Sequence, residues 1–340
     1  MDLLQDREEV LKKLNIGKEL LYITRDECIG TGITRDRILE LTKDALTAHG
    51  RKEYEMPAKI GVHPLSEVFF HAMPAYVPSQ KAIGVKWIEC YPNNPKKFNI
   101  PQTTGLLILN DILSGCPMAI MDCTWLTAMR TPAVTVLAAR ALHDNAENFG
   151  MFGCGVQGIE HVRFAGIALK KLKKIYIHDI VEAAMDNLIN LVQPELDVEI
   201  VKGGNPKELV KKCEVLSSAT IIVKDTLSIV KDEWVSKGQT ILPCDLNTFW
   251  DPKTSQRADK YIVDSIDEHK LFADMGYFPE GLPDIFCETG EIIANLKKGR
   301  ESQEELIVCS NIGMSVCDMV VGREIFDIAL EKGMGVKLPL

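Results

Sequence analysis

Residues 148–179, NFGMFGCGVQGIEHVRFAGIALKKLKKIYIHD, decide the fold. The apolar run Phe149 to Phe152 predicts a strand, and Gly153-Cys154-Gly155-Val156-Gln157-Gly158 follows it as G-x-G-x-x-G. Ile159, Val162, Ala165, Ala168 and Leu172 then recur at helical spacing. A second apolar run, Ile175 to Ile177, ends in His178 and Asp179. Strand, glycine turn, helix, strand and terminal acid in this order are the layout of a dinucleotide-binding βαβ unit. Gly153 is expected to allow the tight turn, Gly155 to let a pyrophosphate reach the backbone, and Gly158 to let helix and strand pack closely. The helix N-terminus offers N–H groups and a positive dipole end to phosphates. Asp179 can accept both ribose hydroxyls and would repel a 2′-phosphate. No Arg or Lys stands close after it, which predicts NAD rather than NADP.

Downstream the alternation continues. Helices are expected at 181–192, 206–212 and near 252–258, with strands at 198–201, 215–219, 240–244 and 261–263. Such alternation predicts a parallel, doubly wound sheet. A helix is expected from Glu288 to Lys298, a last strand from Leu306 to Cys309, and a helix over 316–332 that returns to the first domain. Upstream, residues 1 to about 20 read as a charged amphipathic segment. Thr34 reads as the cap of a helix ending at Gly50. Extended runs follow at 53–63, 67–73, 83–91, 104–109 and 118–122, the last two joined by a hairpin loop over 110–115. They predict an antiparallel or mixed sheet. Thr131 with Pro132 reads as the start of the next helix. The fold class is therefore α/β: a Rossmann-type doubly wound parallel sheet at 131–309, plus a smaller α+β domain from 1–130 and 310–340.

The chain has 340 residues, 46% hydrophobic and 26% charged, with a net charge of −9. That balance is ordinary for a globular protein. It argues against nucleic acid or an anionic membrane as the main partner, so an anionic substrate must be met by local cations. No apolar run is long enough to span a bilayer and the N-terminal stretch is charged, so a cytoplasmic protein is expected. Ten cysteines contain no C-x-x-C pair and read as buried small apolar residues in a reducing compartment. No structural metal is expected.

Six ordered pieces carry a resemblance: Met56-Pro57-Ala58-Lys59; Ala72-Met73-Pro74-Ala75-Tyr76; Gly84-Val85-Lys86-Trp87 with Pro92-Asn93-Asn94-Pro95; Leu126-Thr127-Ala128-Met129-Arg130-Thr131; Gly153-Cys154-Gly155-Val156-Gln157; and Asn311-Ile312-Gly313-Met314 with Asp318. With them the chain resembles the ornithine cyclodeaminase and μ-crystallin family over nearly its full length after about residue 20, and looks most like its archaeal-type alanine dehydrogenase branch. The resemblance implies a homodimer, a substrate-binding and dimerisation role for the smaller domain, and hydride transfer at the α-carbon of an amino acid. It places the substrate carboxylate at Lys59, Lys86 and Arg130. His71 stands where the dehydrogenase branch carries Arg, and is the further substrate-binding candidate. The cyclodeaminase stretch G-D-C-P-G-K-T-E-L is replaced by residues 243–251.

Cations are what an amino-acid carboxylate requires. Arg can clamp it with two parallel bonds, while Lys acts as a point charge. Thr131, Gly153, Gly155, Val156, Gln157, Asp179, Ser218, Ala219, Thr220, Asn311 and Gly313 are expected to bind NAD, since cofactor lies outside the carboxyl ends of such strands. Asp245 and Lys86 are the catalytic candidates. Asp245 is expected at a strand's carboxyl end, as the base that takes a proton from the substrate nitrogen. Asn247 is the alternative holder of that family position. The reading is an NAD-dependent amino-acid dehydrogenase or cyclodeaminase working through an imine. The alternatives are a cyclic imine (ketimine) reductase and a non-catalytic NAD(P)H-dependent binder of μ-crystallin type.

Overall fold

The structure is a computed structural model and describes residues 2–65 and 67–340. The chain divides into two compact units, one made of residues 1–130 and 314–340, the other of 131–313.

The first unit is built on a seven-stranded mixed sheet. Its order is Val336–Pro339, Glu19–Ile23, Pro117–Asp122, Thr103–Asn110, Ala82–Cys90, Phe69–Val77 and Ile60–Val62. Glu19–Ile23 runs parallel to Pro117–Asp122, and every other neighbouring pair is antiparallel. The helix Ser315–Lys332 lies on the three strands Phe69–Val77, Ala82–Cys90 and Thr103–Asn110. Val316, Cys317, Met319, Val320 and Val321 are all buried, so the first half of the helix presents apolar side chains all round apart from Asp318. It comes so close to the sheet that a Cβ at Gly322 would sit 2.1 Å from Leu107 Cδ2. Its first turn is tied down by Ser315 Oγ, which donates to the Pro74 carbonyl at 2.9 Å.

Thr34 does cap the helix Arg35–Gly50, accepting from Arg37 N. Other expectations need correction. The first stretch holds a helix, Leu3–Leu11, and the start of strand Glu19–Ile23, which its reading as one charged amphipathic segment did not separate. The run at 53–63 is a strand only over Ile60–Val62, because Pro57 has no N–H to give a ladder. Thr131 caps nothing: the helix runs from Thr124 to Leu142 with Pro132 in its interior. The apolar periodicity at Leu126 and Met129 already belongs to it, and burial of Ala133, Val134, Val136 and Leu137 holds it together across the proline.

The second unit is an eight-stranded, all-parallel sheet. Its order is Ile285–Glu288, Lys260–Val263, Ile307–Ser310, Thr240–Pro243, Val215–Ser218, Asn148–Phe152, Lys174–His178 and Glu199–Lys202. The chain starts at Asn148–Phe152, winds outward through Lys174–His178 and Glu199–Lys202, then crosses back to Val215–Ser218. Asn148–Phe152 and Val215–Ser218 therefore flank the topological switch point, where open α/β sheets bind ligands. Strand Ile307–Ser310 is last of the unit in sequence but inserts inside the sheet. The helix expected over 288–298 is short, Thr289–Ile293, preceded by strand Ile285–Glu288. Asn295, with φ 58°, turns the chain away. The helix Ile266–Asp274 was not anticipated; Ser265 caps it by accepting from Glu268 N.

None of the ten cysteines forms a disulfide, and seven are buried. Among the described residues no group of three or more His, Cys, Asp or Glu could hold a metal, and no helix is long and apolar enough to cross a membrane.

Candidate active site

In the second unit the glycine turn has the geometry a dinucleotide needs. Gly153 has φ 93°, and a Cβ there would lie 2.5 Å from the Ala219 carbonyl oxygen across the switch point. Gly155 caps the helix Val156–Ala168 with no side-chain bond, and a Cβ built on it meets nothing within 4 Å. Open space beside a bare helix N-terminus is what a pyrophosphate requires. Gly158 is the opposite case, since its Cβ would fall 1.9 Å from the Gly153 carbonyl oxygen. Val156 is exposed and Gln157 half-buried beside the same turn. Asp179 ends its strand with Oδ2 accepting from Cys154 N at 2.7 Å and Oδ1 from Val181 N at 2.8 Å. The acid is thus fastened to the glycine turn, and each of its oxygens keeps a lone pair.

Four neighbouring strands deliver Asn311, Asp245, Ser218 to Thr220, and Gly153 to one carboxyl edge of the sheet. Asp245 is fully buried. Its Oδ1 accepts from Ser218 Oγ at 2.7 Å, and its Oδ2 from Thr220 Oγ1 at 2.6 Å and Thr220 N at 3.1 Å. Trp250 Nε1 donates to Ser218 Oγ at 2.8 Å and completes the web. Burial pushes the Asp245 carboxyl above the usual range, against the pull of the Thr220 and Ser218 hydrogen bonds. Three donors leave a carboxylate about one further acceptor site. Asn247 points elsewhere, its Nδ2 donating to Thr226 Oγ1 at 3.2 Å. Asn311 is buried, with Oδ1 accepting from Thr289 Oγ1 at 2.8 Å. Gly313 N donates to Asp264 Oδ2 at 2.6 Å. Thr131 is half-buried in mid-helix.

In the first unit, strand alternation turns Lys86 and Ile88 inward and Trp87 outward. Lys86 pairs in register with Met73 and Leu107, both buried, so the ammonium stands among apolar neighbours. Asp318 meets it there. Lys86 Nζ donates to Asp318 Oδ2 at 2.6 Å and Arg130 Nε to Oδ1 at 2.8 Å. The three side chains are 1%, 0% and 5% exposed for Lys86, Asp318 and Arg130. Burial, then the Arg130 charge, bring the Lys86 ammonium down to about 8, while Asp318 works to raise it. Burial would push Asp318 up, but Arg130 and Lys86 hold it below the usual carboxylate range.

Lys59 and His71 are also buried, and His71 faces the same side of the sheet as Lys86. Its ring stacks on Phe69 with centroids 4.1 Å apart. Burial, followed by the charges of Lys59, His63 and Lys86, pushes His71 down to about 3. Its imidazole is neutral at physiological pH, so it offers hydrogen bonds where an Arg would offer charge.

Reading the residues in order missed Ser218 as a partner of Asp245, Trp250, Asp264 and the bridging role of Asp318. A signal for Asp318 exists: an acid in the otherwise apolar stretch 316–322 is expected to be buried and paired.

The sequence profile of the ornithine cyclodeaminase/mu-crystallin family matches residues 27–333. The chain is 29% identical to an alanine dehydrogenase of Archaeoglobus fulgidus, over 94% of this chain and 98% of that one. A Thermococcus litoralis Δ1-pyrroline-2-carboxylate reductase, solved with NADH and L-proline, superposes with a TM-score of 0.83 at 25% identity, over 93% and 99% of the two chains. An archaeal alanine dehydrogenase dimer with bound NAD gives 0.80 at 27% identity, over 94% and 99%.

Proposed function

The chain belongs to the ornithine cyclodeaminase/mu-crystallin family, and from that premise we propose that it is an NAD-dependent oxidoreductase acting at the α-carbon–nitrogen bond of a small L-amino acid or its imine. The observation that carries the reading is the pair of buried cations, Lys86 and Arg130, held on one carboxylate. Burying two cations is costly unless each is paired. An arrangement that gathers them around one acid suits the recognition of a second carboxylate, the substrate's.

NAD, when bound on the 153–158 turn, supplies the hydride chemistry. Gly155 admits the pyrophosphate, Asp179 accepts the ribose hydroxyls, and Ser218 to Thr220 with Asn311 and Gly313 line the nicotinamide side. Lys86 and Arg130 orient the substrate by its carboxylate, assisted by Lys59, and His71 hydrogen-bonds as a neutral ring. Asp245 takes the proton from the substrate nitrogen, or returns it in the reductive direction. Its raised carboxyl supports that role, because an acid–base group works best with a pKa near the working pH. Lys86, at about 8, is suited to hold or release a second proton.

A homodimer working in the cytoplasm is part of the same proposal. Ten cysteines with no disulfide among them fit a reducing compartment. On the outer face of the first unit's sheet, Trp87 and Leu106 are cross-strand neighbours, 42% and 44% exposed, and Phe70 stacks on Trp87 at 5.5 Å. An apolar patch of this kind needs a cover.

The discriminating experiment follows NADH absorbance with a panel of amino acids and cyclic imines while ammonia and proline are assayed. Net NADH marks a dehydrogenase, ammonia without net NADH a cyclodeaminase, and NADH consumption with a cyclic imine a ketimine reductase. NADH binding with none of these signals would leave only the binding reading. Two variants sharpen the test. Arg130→Lys loses the fork geometry and one charge-assisted bond, worth roughly 1.5 to 3 kcal/mol, so KM should rise about tenfold to a hundredfold; unchanged KM and kcat would remove Arg130 from the site. Asp179→Ala is expected to weaken NADH binding strongly and NADPH binding far less, as read by fluorescence titration. Equal affinity of the native protein for both cofactors contradicts that assignment.

A further inference from the structure

Asp318 is contributed by the C-terminal helix, far in sequence from both cations it touches. Each of its oxygens serves one of them, Oδ2 the Lys86 ammonium and Oδ1 the Arg130 Nε–H. The helix cannot easily carry it away. Ser315 Oγ holds the first turn to Pro74, and Gly322, one turn beyond Asp318 on the same face, lets the helix close on Leu107. Nζ and the guanidinium plane are therefore located by a fixed point.

We propose that Asp318 is the positioning residue of the carboxylate site: it sets the Arg130 fork and keeps Lys86 charged, so that anion affinity depends on an acid that does not itself touch the substrate. The proposal rests on the reading of Lys86 and Arg130 as carboxylate ligands. Two cations this close in a buried setting repel each other, and burial and Arg130 both favour loss of the Lys86 proton. Asp318 opposes both. The other acidic group acting on Lys86 in the same direction is Cys123, whose thiol burial pushes up to about 12, so it carries no charge near neutrality. Of the three charges two are positive, and the triad as a unit remains cationic toward an incoming anion. A bidentate guanidinium is useful only when its plane is fixed, and Nε on Oδ1 fixes it.

The test is calorimetric titration of the NAD-loaded protein with two carboxylate probes, pyruvate and pyrrole-2-carboxylate, from about pH 6 to about pH 9. In the native protein affinity should fall as pH rises through about 8, where Lys86 loses its proton. Asp318→Asn, which keeps the shape and removes the charge, should move that break to lower pH. At pH above the native break, the variant's affinity is lower than native by about tenfold for each unit the break has moved. KM should rise more than kcat falls, and NADH affinity should be unchanged. An Asn variant with native affinity and a native pH profile overturns the proposal. If the Asn variant does not fold, as judged by a thermal melt, Asp318→Glu takes its place. It keeps the charge but displaces it by a methylene, so the break should stay near the native pH while affinity weakens; native affinity in that variant likewise overturns the proposal. A native protein that binds neither probe would instead strike at the carboxylate-site reading itself, and the proposal would fall with it.

Discussion

Asp245→Asn is expected to lose turnover by about a hundredfold to ten-thousandfold, the usual cost of removing a general acid–base group, while NADH binding stays nearly intact. The substitution is isosteric and the web around it can adapt. Thr220 N–H is a fixed donor, so the amide oxygen of the new side chain would turn toward Thr220 and its NH2 toward Ser218. The Ser218 hydroxyl can rotate to accept, as it already does from Trp250. Lost turnover would then report lost proton transfer and not a collapsed strand end. The native enzyme carries a matching pH signature. In its proposed role as base Asp245 must be ionised for an amino acid to be oxidised, and burial raises its pKa. Activity in that direction should therefore disappear as pH falls through a value above the ordinary carboxylate range. Normal turnover of the Asn variant across the pH range would make Asp245 a structural residue and return the search for a base to Lys59 or His71.

The second large effect separates two glycines of one motif. Gly158→Ala drives a Cβ to 1.9 Å from the Gly153 carbonyl oxygen, a backbone atom that cannot rotate away. Helix and strand must move apart. Overpacking of this kind costs typically 1 to 3 kcal/mol and here distorts the turn proposed to hold the pyrophosphate, so both melting temperature and NADH affinity should drop. Gly155→Ala adds the same methyl where nothing lies within 4 Å. Its melting temperature should remain native while NADH affinity falls, because the methyl occupies the space through which the phosphates approach. If Gly155→Ala binds NADH with native affinity, the cofactor does not lie against this turn.

The dinucleotide unit was legible because its demands are local. A positive φ at Gly153, a close contact at Gly158 and an acid at the end of the next strand each fall on a residue that the neighbouring chain dictates. The same is true of the Thr34 cap, and of the strand–helix alternation that implies a parallel sheet. The resemblance to the family brought Lys59, Lys86 and Arg130 forward as candidates, and a strand-end position together with that resemblance brought Asp245. What each does electrically was not legible. His71 is held neutral by burial and by Lys59, His63 and Lys86, all three outside its own strand. Strand Ile307–Ser310 reads as a terminal addition, yet it pairs inside the sheet, since pairing order is settled by which strands bury which faces. Thr131-Pro132 satisfies every local rule for a helix start and sits in mid-helix, because packing outweighs one lost backbone bond. Sequence alone thus determined the cofactor fold and offered the residues of a candidate site. Only the tertiary structure decided that Asp318 closes on Lys86 and Arg130, a partnership across distant parts of the chain that exists because burying two cations requires an anion and the helix is the element that brings one.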